Sequence, residues 1–222
     1  MIKLYELAGK NNLIFSPYCW RVRLALLHKQ VEFSGVDTAF TEIKDISNGE
    51  FKTVPVLLDG SFALNESFDI IEYLEEKYPL KPSLFNSNEG KALAKFIETW
   101  ANSLHGDIAK MAIADIHDCL QEKDKDYFKT SREKFFGNNL ESIQSENHET
   151  AKASLLSKLS ILDTYLTKSE FISGSTPLYA DFIVFGTLKW LIETSQTFQV
   201  SHFSEYVEKW FLKINQMYCG EK

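Results

Sequence analysis

Cysteine is scarce in this chain. Its three residues, Cys19, Cys119 and Cys219, are too few and too scattered for a disulfide framework or a zinc site. Clusters of positive charge are also lacking. The formal net charge is −7 and no run of lysine and arginine overrides it, which argues against a polyanion-binding surface and against nucleic acid as a partner. Long apolar runs are missing too: the longest, residues 182–188, is broken by Lys189 and falls far short of the roughly 20 residues that span a bilayer. Met1-Ile2-Lys3-Leu4-Tyr5-Glu6 is not a basic start followed by an apolar core, so no secretory signal is predicted. The five histidines show neither metal spacing nor a serine partner, which speaks against a metal centre and a hydrolase triad. These absences point to the reducing cytoplasm, with no metal, membrane or nucleic acid involved.

Core material is abundant. The 222 residues are 44% hydrophobic with 17 Phe and 9 Tyr, enough for one large or two small folded domains. Residues 2–7 alternate as a half-buried strand does. Ser16-Pro17 then opens an apolar run that His28 and Lys29 close, which predicts a helix starting at Pro17 with its first N–H groups facing an anion site. Residues 32–36 predict a short strand, and residues 37–50 a loop with a short helix. Two strands, 54–58 and 61–64, flank Asp59-Gly60, a strong hairpin signal. Phe68, Ile70, Ile71, Tyr73, Leu74 and Tyr78 predict a helix that stops before Pro79.

Beyond a linker-like stretch at 79–90, every periodic segment is helical. Leu93, Phe96, Ile97, Trp100, Leu104, Ile108 and Met111 predict one long amphipathic helix. The apolar stripe of Trp100, Leu104, Ile108 and Met111 either fills the core or faces the corner at Ser16. Residues 121–150 are polar and charged, with Tyr127, Phe128, Phe135 and Phe136 as isolated anchors. Helices are expected over 150–167, 178–194 and 203–218. Residues 182–192 are apolar nearly all round, as befits a central helix. The pattern is a small α/β domain followed by an all-helical one.

Three connections carry polar groups that one ligand could use. Ser16 is either an N-cap or a free hydroxyl donor. Pro55 is either an edge proline or a cis turn that leaves the Val54 backbone free to pair with an extended, peptide-like ligand. At Asn65-Glu66-Ser67, either Asn65 or Ser67 caps the helix, or Glu66 and Ser67 read the ammonium and carboxylate of an α-amino acid head. Cys19, in the first helical turn, is either a thiol of lowered pKa or a small core residue. Tyr5 and Tyr18 are packing aromatics or alternative donors.

Ser16-Pro17-Tyr18-Cys19, Val54-Pro55-Val56-Leu57 and Glu66-Ser67 together resemble the glutathione transferase superfamily, over nearly the whole chain. The first tetrapeptide is also similar to the Cys-Pro-Tyr-Cys of glutaredoxins with its first cysteine changed to serine. Residues 16–23, residues 127–137 and Tyr179-Ala180-Asp181-Phe182 look most like the serine-type, β-etherase-related group. The resemblance implies a thioredoxin-like domain over 1–80, a linker over 81–90 and a helical-bundle domain over 91–222 that contributes the electrophile pocket. It implies glutathione as co-substrate, Ser16 as hydrogen-bond donor to its sulfur, Val54 on its cysteinyl backbone, and Glu66 with Ser67 on its γ-glutamyl end. The glycine carboxylate needs a cation. The family's lysine before the Val-Pro pair is here Thr53, which leaves Lys52 or Lys44. Asp181 resembles the family's structural aspartate, although the usual hydroxyl cap three residues earlier is Leu178.

A homodimer is implied as well, and a reaction in which the thiolate attacks small hydrophobic or aromatic electrophiles, aryl ethers among them. Two other readings stay open. One is a glutathione-dependent thiol oxidoreductase in which Cys19 forms mixed disulfides. The other is a non-catalytic glutathione-binding scaffold that uses its helical domain for partners.

Overall fold

The alternation at the N-terminus forms β1 (Ile2–Leu7), with Ile2 and Leu4 buried and Lys3 exposed between them. In the computed structural model, which describes residues 1–220, β1 sits inside a four-stranded sheet ordered β2-β1-β3-β4. β2 (Phe33–Thr38) lies parallel to β1, whereas β3 (Val56–Asp59) is antiparallel to it and continues into β4 (Phe62–Leu64). Gly60, at φ 65°, supplies the left-handed residue that the tight turn between β3 and β4 needs. Strand β3 starts two residues later than the apolar pattern suggests, so Val54 and Pro55 belong to the turn before it. Two helices, α1 (Pro17–His28) and α2 (Ser67–Lys77), complete a thioredoxin-like unit.

Six more helices follow: α3 (Asn88–Asn102), α4 (His105–Cys119), α5 (Glu122–Phe136), α6 (Leu140–Leu166), α7 (Tyr179–Thr194) and α8 (Glu205–Cys219). The single helix expected over 93–111 is two. Backbone bonds from Ser103 to Trp100 and from Leu104 to Ala101 tighten the chain, and Ser103 Oγ donates to the Trp100 carbonyl at 2.6 Å. Apolar spacing runs through the break unchanged, so periodicity alone could not reveal it. The charged stretch 121–150 is helical as well. Gly137 closes α5 at φ 76°, and the Asn139 side chain accepts the Ser142 N–H at 2.8 Å to start α6.

Helix α7 buries 13 of its 16 residues and packs against α1, α3 and α4. It is the central helix. Asp181, in its first turn, accepts N–H bonds from Ile172 at 2.8 Å, Ser173 at 3.1 Å, Leu178 at 3.1 Å and the Trp210 indole at 2.9 Å. The helix start is therefore held by the carboxylate, with the Tyr179 N–H on the Leu84 carbonyl at 3.0 Å, and a hydroxyl at position 178 is not required. Among the described residues no helix is long and apolar enough to cross a membrane.

The approach of α7 to α1 is close because residue 186 is glycine. A Cβ there would lie 2.6 Å from the Pro17 carbonyl oxygen, a backbone atom that cannot step aside. Gly186→Ala is expected to lower stability in urea by about 1–3 kcal/mol through overpacking. Gly106→Ala, where a Cβ meets open space, is expected to be tolerated. Equal midpoints for both variants would contradict this account of the seam.

Candidate active site

Ser16 stands where β1 hands over to α1. Its Oγ accepts the Cys19 N–H at 3.4 Å, so it is the N-cap, with Pro17 at the first helical position. A hydroxyl that accepts through a lone pair keeps its proton to donate, so capping does not exhaust it. Only 6% exposed, Ser16 lines a cleft of about 680 Å³. A second cleft of about 540 Å³ adjoins it, and Tyr18, Thr53 and Val54 line both.

The smaller cleft carries Glu66, Ser67, Asp69, Glu98 and Asn102. Glu66 adopts φ 61° and ψ 111°, a sparsely populated conformation that costs a non-glycine residue about 1–3 kcal/mol. It precedes the first turn of α2, and no side chain caps that turn. Neither Asn65 nor Ser67 is the cap: Asn65 Nδ2 donates instead to Thr53 Oγ1 at 3.3 Å, and Ser67 is the first helical residue.

The Val54–Pro55 peptide bond is cis. Lys52 and Thr53 lie in a bend rather than a strand, so alternation of faces does not separate them, and both line the larger cleft. Lys44, exposed in the 3-10 segment Phe40–Gly49, lines neither cleft.

Behind Tyr18, a buried cation joins the sheet unit to the bundle. Arg21 donates from Nη1 to Glu98 Oε1 at 3.0 Å and from Nη2 to Asn102 Oδ1 at 3.0 Å, and its guanidinium lies 4.6 Å from the Tyr18 ring centroid. Burial holds the Glu98 carboxyl above its ordinary range against the pull of Arg21, and the nearby Glu66 charge adds to the rise.

Cys19 points the other way. It is fully buried, its Sγ accepts the Leu7 N–H at 3.4 Å, and burial, with the Glu6 charge adding to it, pushes the thiol up to about 12. Among the described residues it is a core side chain without access to either cleft.

Several lining residues escaped the sequence reading. Tyr127, Phe128, Ser131, Arg132, Phe135 and Phe136 form one wall of the larger cleft. Their spacing repeats every four residues on α5, a face that could have been recognised inside the polar stretch. Phe15, Phe40, His105 and Trp190 come from distant segments and carry no local signal. Leu104, Ile108 and Met111 are fully buried in the core, and Trp100 packs against it. Ala109, Ile113 and Ile116, on the adjacent stripe of α4, line the cleft instead.

His105 has a defined tautomer. Thr187 Oγ1 donates to the Ile183 carbonyl at 3.0 Å, so it accepts from His105 Nε2 at 3.2 Å, and Nδ1 is left to face the Tyr18 hydroxyl at 3.5 Å. Burial, with Arg21 adding its charge, lowers this imidazole to about 4.

Residues 12–82 match the family model described as glutathione S-transferase, N-terminal domain, and residues 92–210 match glutathione S-transferase, C-terminal domain. The chain is similar to glutathione S-transferase U13 of Arabidopsis thaliana, 28% identical over 197 residues that cover 79% of this chain and 80% of that protein. It is also similar to glutathione S-transferase Z2 of the same plant, 40% identical over 70 residues, or 29% of this chain and 31% of that one. Its fold is similar to glutathione transferase GSTFuA3 of Phanerochaete chrysosporium, with a TM-score of 0.84 at 22% identity over 99% of this chain and 96% of the other. Glutathione S-transferase CsGST63524 of Ceriporiopsis subvermispora, solved in complex with glutathione, gives 0.85 at 19% identity over 98% and 96%.

The lowered imidazole sets a pH dependence. The unfolded chain takes up a proton near 6.5 and the folded chain only near 4, so stability falls as pH drops between those values and levels off below them. The loss attributable to His105 is about 3 kcal/mol. Urea unfolding from pH 7 to 4 is expected to show this slope and His105→Gln to lack it. The comparison isolates His105 from His28, whose imidazole burial also lowers.

Proposed function

The chain belongs to the glutathione S-transferase family, and we propose that Ser16 holds the glutathione thiolate for attack on a small aromatic or apolar electrophile. The chain is a glutathione transferase by its two family domains and its relatives. What supports the finer reading is one observation. Ser16, Val54, Glu66 and Ser67, spread over residues 16–67, line two clefts that meet at Tyr18, Thr53 and Val54.

The energetics suffice without a histidine base. A cysteine-type thiol has a pKa near 8.5, and lowering it by about two units needs about 2.7 kcal/mol of preference for the anion. A helix N-terminus contributes about 0.3–1 kcal/mol, and up to about 2 when partly buried. A hydroxyl hydrogen bond to a charged acceptor adds about 1.5–3 kcal/mol. Serine here is a donor, not a nucleophile. The thiol proton leaves to solvent, the sulfur bonds to the electrophilic carbon, and the leaving group departs with its electron pair. With an aryl ether that group would be a phenolate.

In this reading the Val54 backbone pairs with the cysteinyl part. Glu66 takes the γ-glutamyl ammonium, and Ser67 with the uncapped first turn of α2 takes the adjoining carboxylate. Lys52 is favoured over Lys44 for the glycine carboxylate because it lines the larger cleft. Assignment to the serine-type, β-etherase-related group draws on the aromatic wall of residues 127–136 and on Ser16 itself. The division into 1–80, 81–90 and 91–222 belongs to this reading, and residues 221–222 lie outside the described ones. A cytoplasmic homodimer rests on family membership.

The competing oxidoreductase reading lacks an accessible thiolate at Cys19. With glutathione and chlorodinitrobenzene, Ser16→Ala is expected to lower kcat/KM by about 10–100-fold. Ser16→Gly, which costs the helix only a few tenths of a kcal/mol more than the serine cap, should lose as much, separating the donor from the cap. Cys19→Ala is expected to keep its turnover. Full activity in both Ser16 variants would remove the proposal, and tight glutathione binding without turnover of any electrophile would favour the scaffold.

A further inference from the structure

The larger cleft carries a charge that thiol activation does not use. Among the described residues no carboxylate lines it. Its formally charged side chains are Lys52 and Arg132, in a chain of net charge −7. His105, the remaining titratable base on its wall, is held neutral by burial. Arg132 is half-buried on the cleft face of α5, its guanidinium 5.0 Å from the Phe128 ring centroid and its Nη1 donating to Ser131 Oγ at 3.3 Å. Among the described residues no carboxylate comes within 4.0 Å of it, whereas Lys123, Lys125 and Lys129 of the same helix each have one.

A guanidinium offers five donors in a planar fork and stays charged at any working pH. With Ser131 Oγ accepting from one of them, the remaining donors can engage an oxyanion two at a time. Lys52 lies beside Thr53 and Val54, whereas Arg132 stands on α5 with the aromatic wall.

We propose that the electrophile is an aromatic acid, a ring bearing a carboxylate or equivalent oxyanion, which Arg132 grips while the ring lies among Phe40, Tyr127 and Phe128. The proposal deepens the thiol-transfer reading and rests on it. The acid group is a handle and is unchanged by the reaction: sulfur bonds to the activated ring carbon, and the leaving group on that carbon departs as an anion.

The test pairs chlorodinitrobenzoate with its neutral methyl ester as electrophiles. Arg132→Gln is expected to lower kcat/KM for the acid about tenfold, leaving the ester and the KM for glutathione unmoved, and Arg132→Lys to recover part of the loss. Binding is measured separately by calorimetry with the unreactive dinitrobenzoate and its methyl ester. The wild type should hold the acid about tenfold tighter than the ester, and Arg132→Gln should not distinguish them. Equal losses on acid and ester overturn the proposal. So does a raised glutathione KM without an acid-specific loss, which would make Arg132 a clamp for the glycine carboxylate of glutathione. If the wild type turned over neither compound, the thiol-transfer reading would fail, while calorimetry would still decide the acid preference.

Discussion

Helix α7 passes Pro17 so closely at Gly186 that no side chain fits between them, and the start of α1 takes its position from that contact. The same seam buries Arg21, which reaches Glu98 and Asn102 on α3 and, at 3.5 Å, Thr187 on α7. Thr187 in turn receives His105 from α4. Four helices are thus tied to one cation. A buried charge of this kind costs about 3–5 kcal/mol when a partner is removed, so the arrangement tolerates little drift. The helix start carrying Ser16, the carboxylate of Glu98 and the imidazole of His105 are held by a single rigid junction.

Local charge, rather than the net value, shapes the two clefts. Acceptors gather in the smaller one, where Glu66, Asp69 and Glu98 face a strained backbone and an uncapped helix start. Cations and aromatic rings gather in the larger one. Ser16 lines the larger cleft, two residues before Tyr18 at the boundary, with one lone pair committed to the Cys19 N–H and its proton left to donate. A peptide with an ammonium at one end and a carboxylate at the other would find complementary groups across that boundary, with its sulfur beside the hydroxyl. Capping engages one lone pair of that oxygen and leaves its proton for the donor role proposed above.

Much of the sheet unit was legible. Alternation in residues 2–7, the Asp59-Gly60 turn and the Ser16-Pro17 helix start act through neighbouring residues, and each appears where its local chemistry puts it. The helical half was read less completely. Two turns of i to i−3 bonding at Ser103 and Leu104 split one periodic pattern into α3 and α4, because packing against α6 and α7 rewards a bend that apolar spacing does not encode. In the sequence the aromatic residues of α5 stand as isolated anchors in a polar stretch. Their four-residue spacing was visible, but which face of a polar helix meets a cleft depends on what lies opposite, here Phe15, Phe40 and Trp190.

From the order of residues alone came the two-part architecture, the Ser16-Pro17 helix start, the Asp59-Gly60 hairpin and the family likeness, since these rest on patterns within short stretches of the chain. Three-dimensional packing decided the rest. It buried Cys19 against Leu7, set Lys52 on the cleft and left Lys44 off it, fixed the tautomer of His105 through Thr187, and turned Arg132 toward the Phe128 ring. Burial, solvent access and the partner across a gap belong to pairs of residues far apart in sequence, and they take their values only when the chain has closed around them.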